Sequence, residues 1–398
     1  MQLRYRYRLY PTPDQREALA RAFGCARVVF NDALAARRAA YEAGETYIPD
    51  GELSARLTAA KKSPERAWLR DVSAAVLQQA LADLNEAYRN FFDSVTGKRK
   101  GPKVEPPRFR SRKDSRQSVR FTTNARFRVL ANGQLRLPKI GDVEVLWSRP
   151  LPAVPTSVTV IRDAAGRFFA SFVVEVTPSP LPEIEAECGI DLGLGYFAVL
   201  DGGTKVAAPK FLRRAEKRLR KAQQDLSRRR RGSGRREKAR VKVARAHAKV
   251  ADARQDFHHK LSTKLIRENQ AVTVEDLAVR GLARTRMAKS VHDAGWSAFV
   301  GMLKYKAALY GREFRRVGRF EPTSQVCSEC GAKDGPKPLH VREWQCKECA
   351  TVHDRDVNAA KNIAALGRRE ALNARGGQVR PAAMLAPACE AGSRRRAV

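Results

Sequence analysis

Polar and apolar residues alternate from Leu3 to Tyr10, the period of two expected of a half-buried strand. Thr12, Pro13 and Gln15 then supply an N-cap, a first-turn proline and a capping-box partner, so a helix starts there. From Gln15 to about Val95 the period is helical, clearest in Val76, Ala80, Leu81, Leu84, Tyr88 and Phe91, with breaks near Gly44, Pro49 and Pro64. Residues 97–116, GKRKGPKVEPPRFRSRKDSR, show no apolar period and read as a basic linker. Short alternating segments from Val119 to Val176, bounded by Asn132-Gly133, Gly141-Asp142 and Ala165-Gly166, predict antiparallel strands in a small barrel or sheet that the first strand can join.

A second region opens at Cys188. Through Ala207 it reads as a three-stranded meander, with Asp191 ending the first strand and Asp201-Gly202-Gly203 forming a turn. Leu212, Leu219 and Leu226, then Val243, Val250 and Phe257, recur every seven residues and predict two antiparallel helices joined by RRRRGSGRR. A strand from Ala271 to Val274 precedes Glu275, followed by a helix near Ser297–Arg312 and a strand through Phe314 to Val317. A last helix is expected from Asn358 to Ala364, and the residues from Gly367 onward read as a disordered basic tail.

Composition narrows the class of partner. The chain has 398 residues, 43% of them hydrophobic, enough for two to four domains. Its 77 Lys and Arg against 42 Asp and Glu give a net charge of +35, which points to a polyanion, nucleic acid first. No apolar stretch is long enough to span a bilayer, and MQLRYRYRLYPTP lacks the apolar core of a secretory signal, so the expectation is a cytoplasmic, nucleoid-associated protein of a bacterium or archaeon, with no membrane and no disulfide-linked partner. The Lys and Arg run from Lys210 through Lys249 predicts phosphate contacts.

Three carboxylates carry the candidate chemistry. Hydrolysis of a phosphodiester by two metals needs a few acidic side chains converging on paired cations, and hard oxygen ligands suit Mg2+ or Mn2+. An Asp on the first strand of a meander, a Glu ending a later parallel strand and an Asp opening the last helix are in the order of an RNase H-like fold. Asp191 lies in an apolar strand, where an uncompensated charge is costly. Glu275 stands beside Asp276, which could instead be a helix N-cap; Asp354 and Asp356 could both be helix N-terminal charges favoured by the macrodipole.

Of seven cysteines, Cys25, Cys188 and Cys389 stand alone. Cys327-x-x-Cys330 and Cys346-x-x-Cys349 have the spacing of a four-cysteine zinc ribbon, a closed site whose Zn2+ would be structural. That set leaves His340 and His353 unneeded as ligands, with His353 in a loop or beside the thiolates.

Taken together, RYRLYPTPDQ, QQALADLNEAYRNFF, the basic linker before SVRFTTN, GIDLGLGYFAVL, VTVEDLAVRGL, the CSEC and CKEC pairs and DRDVNAAKNI resemble the TnpB family across almost the whole chain. These are transposon-encoded nucleases related to the type V CRISPR effectors. The resemblance implies a multidomain α+β protein: a wedge-like β-barrel (1–10 and 118–180), a helical recognition module with the basic linker (11–117), and a RuvC-like, RNase H-like nuclease domain (183–366). Within the nuclease domain, 210–266 would be an inserted helical hairpin and 322–352 the zinc ribbon, with 367–398 as the tail. It further implies a guide RNA derived from the transposon end and double-stranded target DNA bearing a short adjacent motif, with base pairing reading the target. Asp191, Glu275 and Asp356 would be the catalytic ligands of Mg2+ or Mn2+, and Asp356 is preferred to Asp354 because the family motif places its ligand two residues before Asn358. Gln79, Thr123 and Asn124 would be DNA contacts. The rival readings are an RNA-guided DNA-binding repressor without cleavage, a miniature type V effector and a transposase acting without a guide.

Overall fold

The computed structural model describes residues 1–338 and 340–374. They fall into two compact units, divided between Val176 and Thr177.

The first unit joins one sheet to a helical layer. Strand β1 (Gln2–Tyr10) is followed by α1 (Pro13–Glu42), α2 (Asp50–Ala60), a 3-10 segment (Pro64–Asp71) and α3 (Ala74–Val95). Then come β2 (Gln117–Thr122), a 3-10 turn (Thr123–Ala125), β3 (Arg128–Val129), β4 (Leu135–Leu137), β5 (Gly141–Leu146), β6 (Ser157–Arg162) and β7 (Phe168–Glu175). The sheet runs β2-β6-β7-β1-β5-β4-β3 with antiparallel neighbours, so the first strand is central, between β7 and β5. Tyr7 and Leu9 on β1, with Phe172 and Val174 on β7, point into a core shared with Leu19, Phe23 and Leu34 of α1 and Leu77 and Leu84 of α3. Burying a side chain such as Phe172 stabilises by roughly 1.5–3 kcal/mol.

The capping box at the start of α1 forms as the sequence predicts, with the Gln15 N–H donating to Thr12 Oγ1 at 3.3 Å and the Thr12 N–H to Gln15 Oε1 at 3.1 Å. Gln15 Nε2 also donates to the Asp142 carbonyl at 2.8 Å, fastening the helix start to β5. Gly141 opens β5 where the hairpin from β4 closes, pairing with Leu137. The basic linker has no regular structure but is pinned: Asn31 exchanges two hydrogen bonds with the backbone of Arg110, whose guanidinium lies 3.0 Å from Asp83 on α3.

The second unit begins with the meander β8 (Glu187–Asp191), β9 (Tyr196–Leu200) and β10 (Lys205–Ala207). A long hairpin, α4 (Phe211–Ser227) and α5 (Gly234–Glu268), separates it from β11 (Ala271–Glu275). There follow α6 (Val279–Leu282), α7 (Ala288–Ala294), α8 (Trp296–Tyr310), β12 (Glu313–Val317), the short hairpin β13 (Glu343–Gln345) and β14 (Val352–Asp354), and α9 (Arg355–Ala374). The sheet order is β10-β9-β8-β11-β12; the first three are antiparallel, and β8, β11 and β12 are parallel.

Both faces of this sheet are covered, as parallel strands require. On one, Cys188, Ile190, Val272 and Val274 pack with Leu265 and Ile266 of α5 and Phe299 and Leu303 of α8. On the other lies α9. This helix overruns the tail expected from Gly367, continuing to Ala374. Gly367 is no breaker here: a Cβ on it would stand 2.6 Å from Thr273 Cγ2, so the glycine lets the helix lie flat on β11. The rest of the tail, with Cys389, lies outside the described residues. Among the described residues no helix is long and apolar enough to cross a membrane.

Candidate functional site

Register places the first two carboxylates. Thr273 pairs with Gly189 and Val274 with Ile190, so Glu275 and Asp191 come next at the carboxyl ends of adjacent parallel strands, which run about 4.8 Å apart. Side chains alternate, so Asp191 shares the face of Gly189, and Glu275 that of Thr273. That face is the one α9 covers. A Cβ on Gly189 would collide with the Ala360 carbonyl and lie 2.6 Å from the Ala364 nitrogen. Ala360, Ala364 and Gly367 thus form the stripe of α9 that rests on the sheet, and Asp356, one turn before Ala360, continues it toward the strand ends.

The electrostatics agree with this placement. Burial pushes the Asp191 carboxyl up to about 7, and the charges of Asp356 and Glu275 push it the same way against a smaller opposing effect of Arg355. Glu275 is also raised, first by burial and then by Asp276. The structure therefore brings Asp191, Glu275 and Asp356 near one another, with Arg342 Nη1 3.5 Å from Asp356 Oδ1.

The two ambiguous neighbours resolve into other roles. Asp276 is not a helix cap: α6 starts after Ala278, and the Asp276 carboxylate is held by Arg316 at 3.3 Å and Arg319 at 2.8 Å. Asp354 is the cap of α9, its Oδ1 accepting from the N–H groups of Asp356 at 3.1 Å and Val357 at 3.0 Å. Its Oδ2 lies 2.5 Å from Lys205 Nζ. Burial would raise the Asp354 carboxyl, but the Lys205 hydrogen bond and those backbone donors outweigh it and hold it low.

The four cysteines Cys327, Cys330, Cys346 and Cys349 gather with their sulfurs within 4.8 Å of one another. Each knuckle closes alike: Gly331 N–H donates to the Cys327 carbonyl and Ala350 N–H to the Cys346 carbonyl, with Gly331 and Ala350 both left-handed. Cys327 and Cys349 Sγ are 3.6 Å apart, as are Cys330 and Cys346. A tetrahedron with Zn–S bonds near 2.3 Å has edges of about 3.8 Å, so the thiols fit a zinc ion. His353 is on β14, not in a loop; it is buried, with Nε2 3.0 Å from Cys327 Sγ and its ring against Trp344. His340 is exposed.

Sequence reasoning missed what joins the cysteine module to the carboxylates. Asn358, 1% exposed, accepts from the Ser328 N–H at 2.8 Å and donates to the Val326 carbonyl at 2.8 Å. Asn362 donates to the carbonyls of Thr323 at 2.8 Å and Val326 at 2.7 Å. The first knuckle is therefore docked on α9 by two asparagines one turn apart, and that i, i+4 repeat within DVNAAKN was the available signal.

The remaining expected contacts lie in the first unit. Gln79 is half-buried on α3, and Thr123 and Asn124 are exposed in the 3-10 turn that packs against α3. In the second unit, α4 and α5 enclose a groove of about 1500 Å3 whose walls include Arg214, Arg218, Lys221, Lys242, Arg245 and Lys249.

Comparison with known proteins bears on this arrangement. Residues 171–286 match a family model described as "Probable transposase", residues 296–363 one described as "Cas12f1-like, TNB domain", and residues 1–46 one described as "Helix-turn-helix domain", although here that segment is a strand and a single long helix. A "Putative RNA-guided DNA endonuclease" of Streptomyces pristinaespiralis is 47% identical over 95% of this chain and 92% of its own length. The "Putative RNA-guided DNA endonuclease InsQ" of Escherichia coli K12 is 30% identical over 91% of this chain and 92% of its own. The fold is similar to that of a Cas12f1 chain solved by cryo-EM with single guide RNA and target DNA, with a TM-score of 0.53 at 12% identity, covering 87% of this chain and 82% of that one. These matches define an α+β protein of the transposon-nuclease class with a cysteine cluster suited to zinc. The chain belongs to the TnpB family.

Proposed function

We propose that this protein is an RNA-guided DNA endonuclease that binds a transposon-derived guide RNA, engages a short adjacent motif and cuts double-stranded target DNA at Asp191, Glu275 and Asp356. The observation that carries the chemistry is the gathering of these three carboxylates, with Asp191 raised to about 7 by burial and by its two acidic neighbours. A family of endonucleases supplies the class of substrate.

The sheet order, a meander followed by two parallel strands with a carboxylate at each relevant end, supports an RNase H-like, RuvC-type domain over 183–366. The first unit supports a wedge-like sheet (1–10 and 118–180) with a helical recognition module (11–117), where Gln79, Thr123 and Asn124 would contact the adjacent motif. The basic groove between α4 and α5 suits the phosphates of the guide RNA.

A half-buried set of hard oxygen donors fits Mg2+ or Mn2+. Such cations, when bound, supply Lewis-acid stabilisation of the phosphodiester oxygens as charge builds on them. The protein's part is to hold three anions together against their repulsion: the strands fix Asp191 and Glu275, and the packing of α9 on the sheet fixes Asp356. Zn2+ in the cysteine cluster would be structural, keeping the module rigid where it meets α9.

The test is cleavage of a plasmid library with one fixed target beside randomised flanks, using protein purified with its flanking RNA, in Mg2+ and in EDTA. Guide-dependent and Mg2+-dependent cutting at one flank motif is expected, with cutting lost and guided binding kept in Asp191→Ala. Guided binding without cutting by the native protein would instead identify a repressor; cutting or joining without a guide would overturn both readings.

A further inference from the structure

Asp354 and Asp356, two residues apart, meet different cations: Lys205 lies 2.5 Å from Asp354 and Arg342 3.5 Å from Asp356. Asp354 is the last residue of β14 and caps α9, while Lys205, which it binds, belongs to β10 at the far edge of the sheet. One carboxylate thus ties together the cysteine module, the final helix and the meander. The Lys205 ammonium is held from a second side by Tyr196, its Nζ lying 5.3 Å from the ring centroid.

Without that cation Asp354 would be a fourth anion beside three that already repel one another. Its two oxygens are instead divided, Oδ2 to Lys205 and Oδ1 to the two N–H groups at the start of α9. One of those is the N–H of Asp356 itself, so the cap fixes the backbone from which the Asp356 side chain leaves.

We propose that Lys205 is a positioning residue for the carboxylate site: by holding Asp354 as the cap of α9 it sets Asp356 against Asp191 and keeps Asp354 from competing as a metal ligand. The inference rests on the reading of Asp356 as a metal ligand.

Lys205→Met and Lys205→Arg, made in the full chain bound to its guide RNA, test this. Three quantities are read: amide hydrogen exchange over Asp354–Ala360, Mn2+ affinity by electron paramagnetic resonance, and the division of the cleavage defect between kcat and KM. Removing the orienting partner of a capping residue predicts about fivefold faster exchange in the first turn of α9 for Lys205→Met. Mn2+ affinity should fall about tenfold, as for other outer partners of metal ligands. The cleavage defect should lie in kcat, and Lys205→Arg should recover most of all three. Unchanged exchange and Mn2+ affinity in Lys205→Met would overturn the proposal. Faster exchange spread evenly over the whole second unit would also overturn it, by making the pair a general stabilising interaction. If the native complex cuts no DNA yet Lys205→Met shifts exchange and Mn2+ affinity as described, the endonuclease reading fails and the positioning role stands.

Discussion

Gly189 and Ala364 touch so closely that a methyl group on the glycine would lie 2.7 Å from the alanine Cβ. This close approach fixes how α9 lies on β8, and hence where Asp356 stands relative to Asp191. Gly189→Ala is therefore expected to lift α9 from the sheet. The cost should be about 1–3 kcal/mol by overpacking, read as a lower denaturant midpoint, with cleavage falling far more than guide RNA binding. Stability and cleavage at native levels would show that the helix is not fixed at this point.

Asp191 gives a pH dependence whose sign follows from linkage. Its folded value, about 7, lies above its ordinary value near 3.8, so the folded state binds the proton more tightly than the unfolded state. Its contribution to stability is complete below about 3.8 and is lost as pH rises through about 7. In EDTA, Asp191→Asn should raise the melting temperature more at pH 8 than at pH 5, and saturating Mg2+ should shrink that gain by stabilising the native protein. A gain that does not vary with pH would mean that Asp191 is not the strained acid.

The cysteine module is docked on α9 through Asn358, two residues beyond Asp356. Stripping zinc with a strong chelator, or Cys327→Ser, should free the first knuckle and leave Asn358 without its partners at Val326 and Ser328. Limited proteolysis near residues 326–350 should accelerate, and cleavage of DNA should drop. Asn358→Ala should reproduce part of that drop with zinc content unchanged, at about 1–3 kcal/mol for the stranded buried groups. If it has no effect on cleavage, the two sites are independent.

The groove between α4 and α5 makes a salt-dependent prediction. Reversing Arg218, Lys221 and Arg245 to Glu should weaken guide RNA binding uniformly across guide sequences. The slope of log affinity against log salt should fall by about 0.7–0.9 for each phosphate that the protein no longer neutralises. Unaltered affinity with a changed melting temperature would make the run a solvated helix face.

Much of this was legible in the chain itself because it depends on local rules. Thr12, Pro13 and Gln15 specify a helix start through their own hydrogen-bonding chemistry, and the paired cysteines specify a four-sulfur cluster through ligand spacing alone. Asp191 was conspicuous because an ion among Ile190, Leu192 and Gly193 has no cheap local explanation. The order of Asp191, Glu275 and Asp356 likewise survives in one dimension.

What the tertiary structure decided is which groups meet. Asp354 and Asp356 are both acids at a helix start; only in the fold does Lys205, 149 positions away, lie against Asp354, whose Oδ1 caps the helix, while Arg342 lies against Asp356. Gly367 looks like a helix end until Thr273 is seen beneath it. Asp276 reads as a cap until Arg316, at the end of β12, and Arg319, just beyond it, return to it. Residue type and spacing determine the elements and the donors they carry, because those depend on neighbours a few residues apart; the pairing of charges and the close approach of backbones depend on residues distant in sequence, which meet only once the chain has folded.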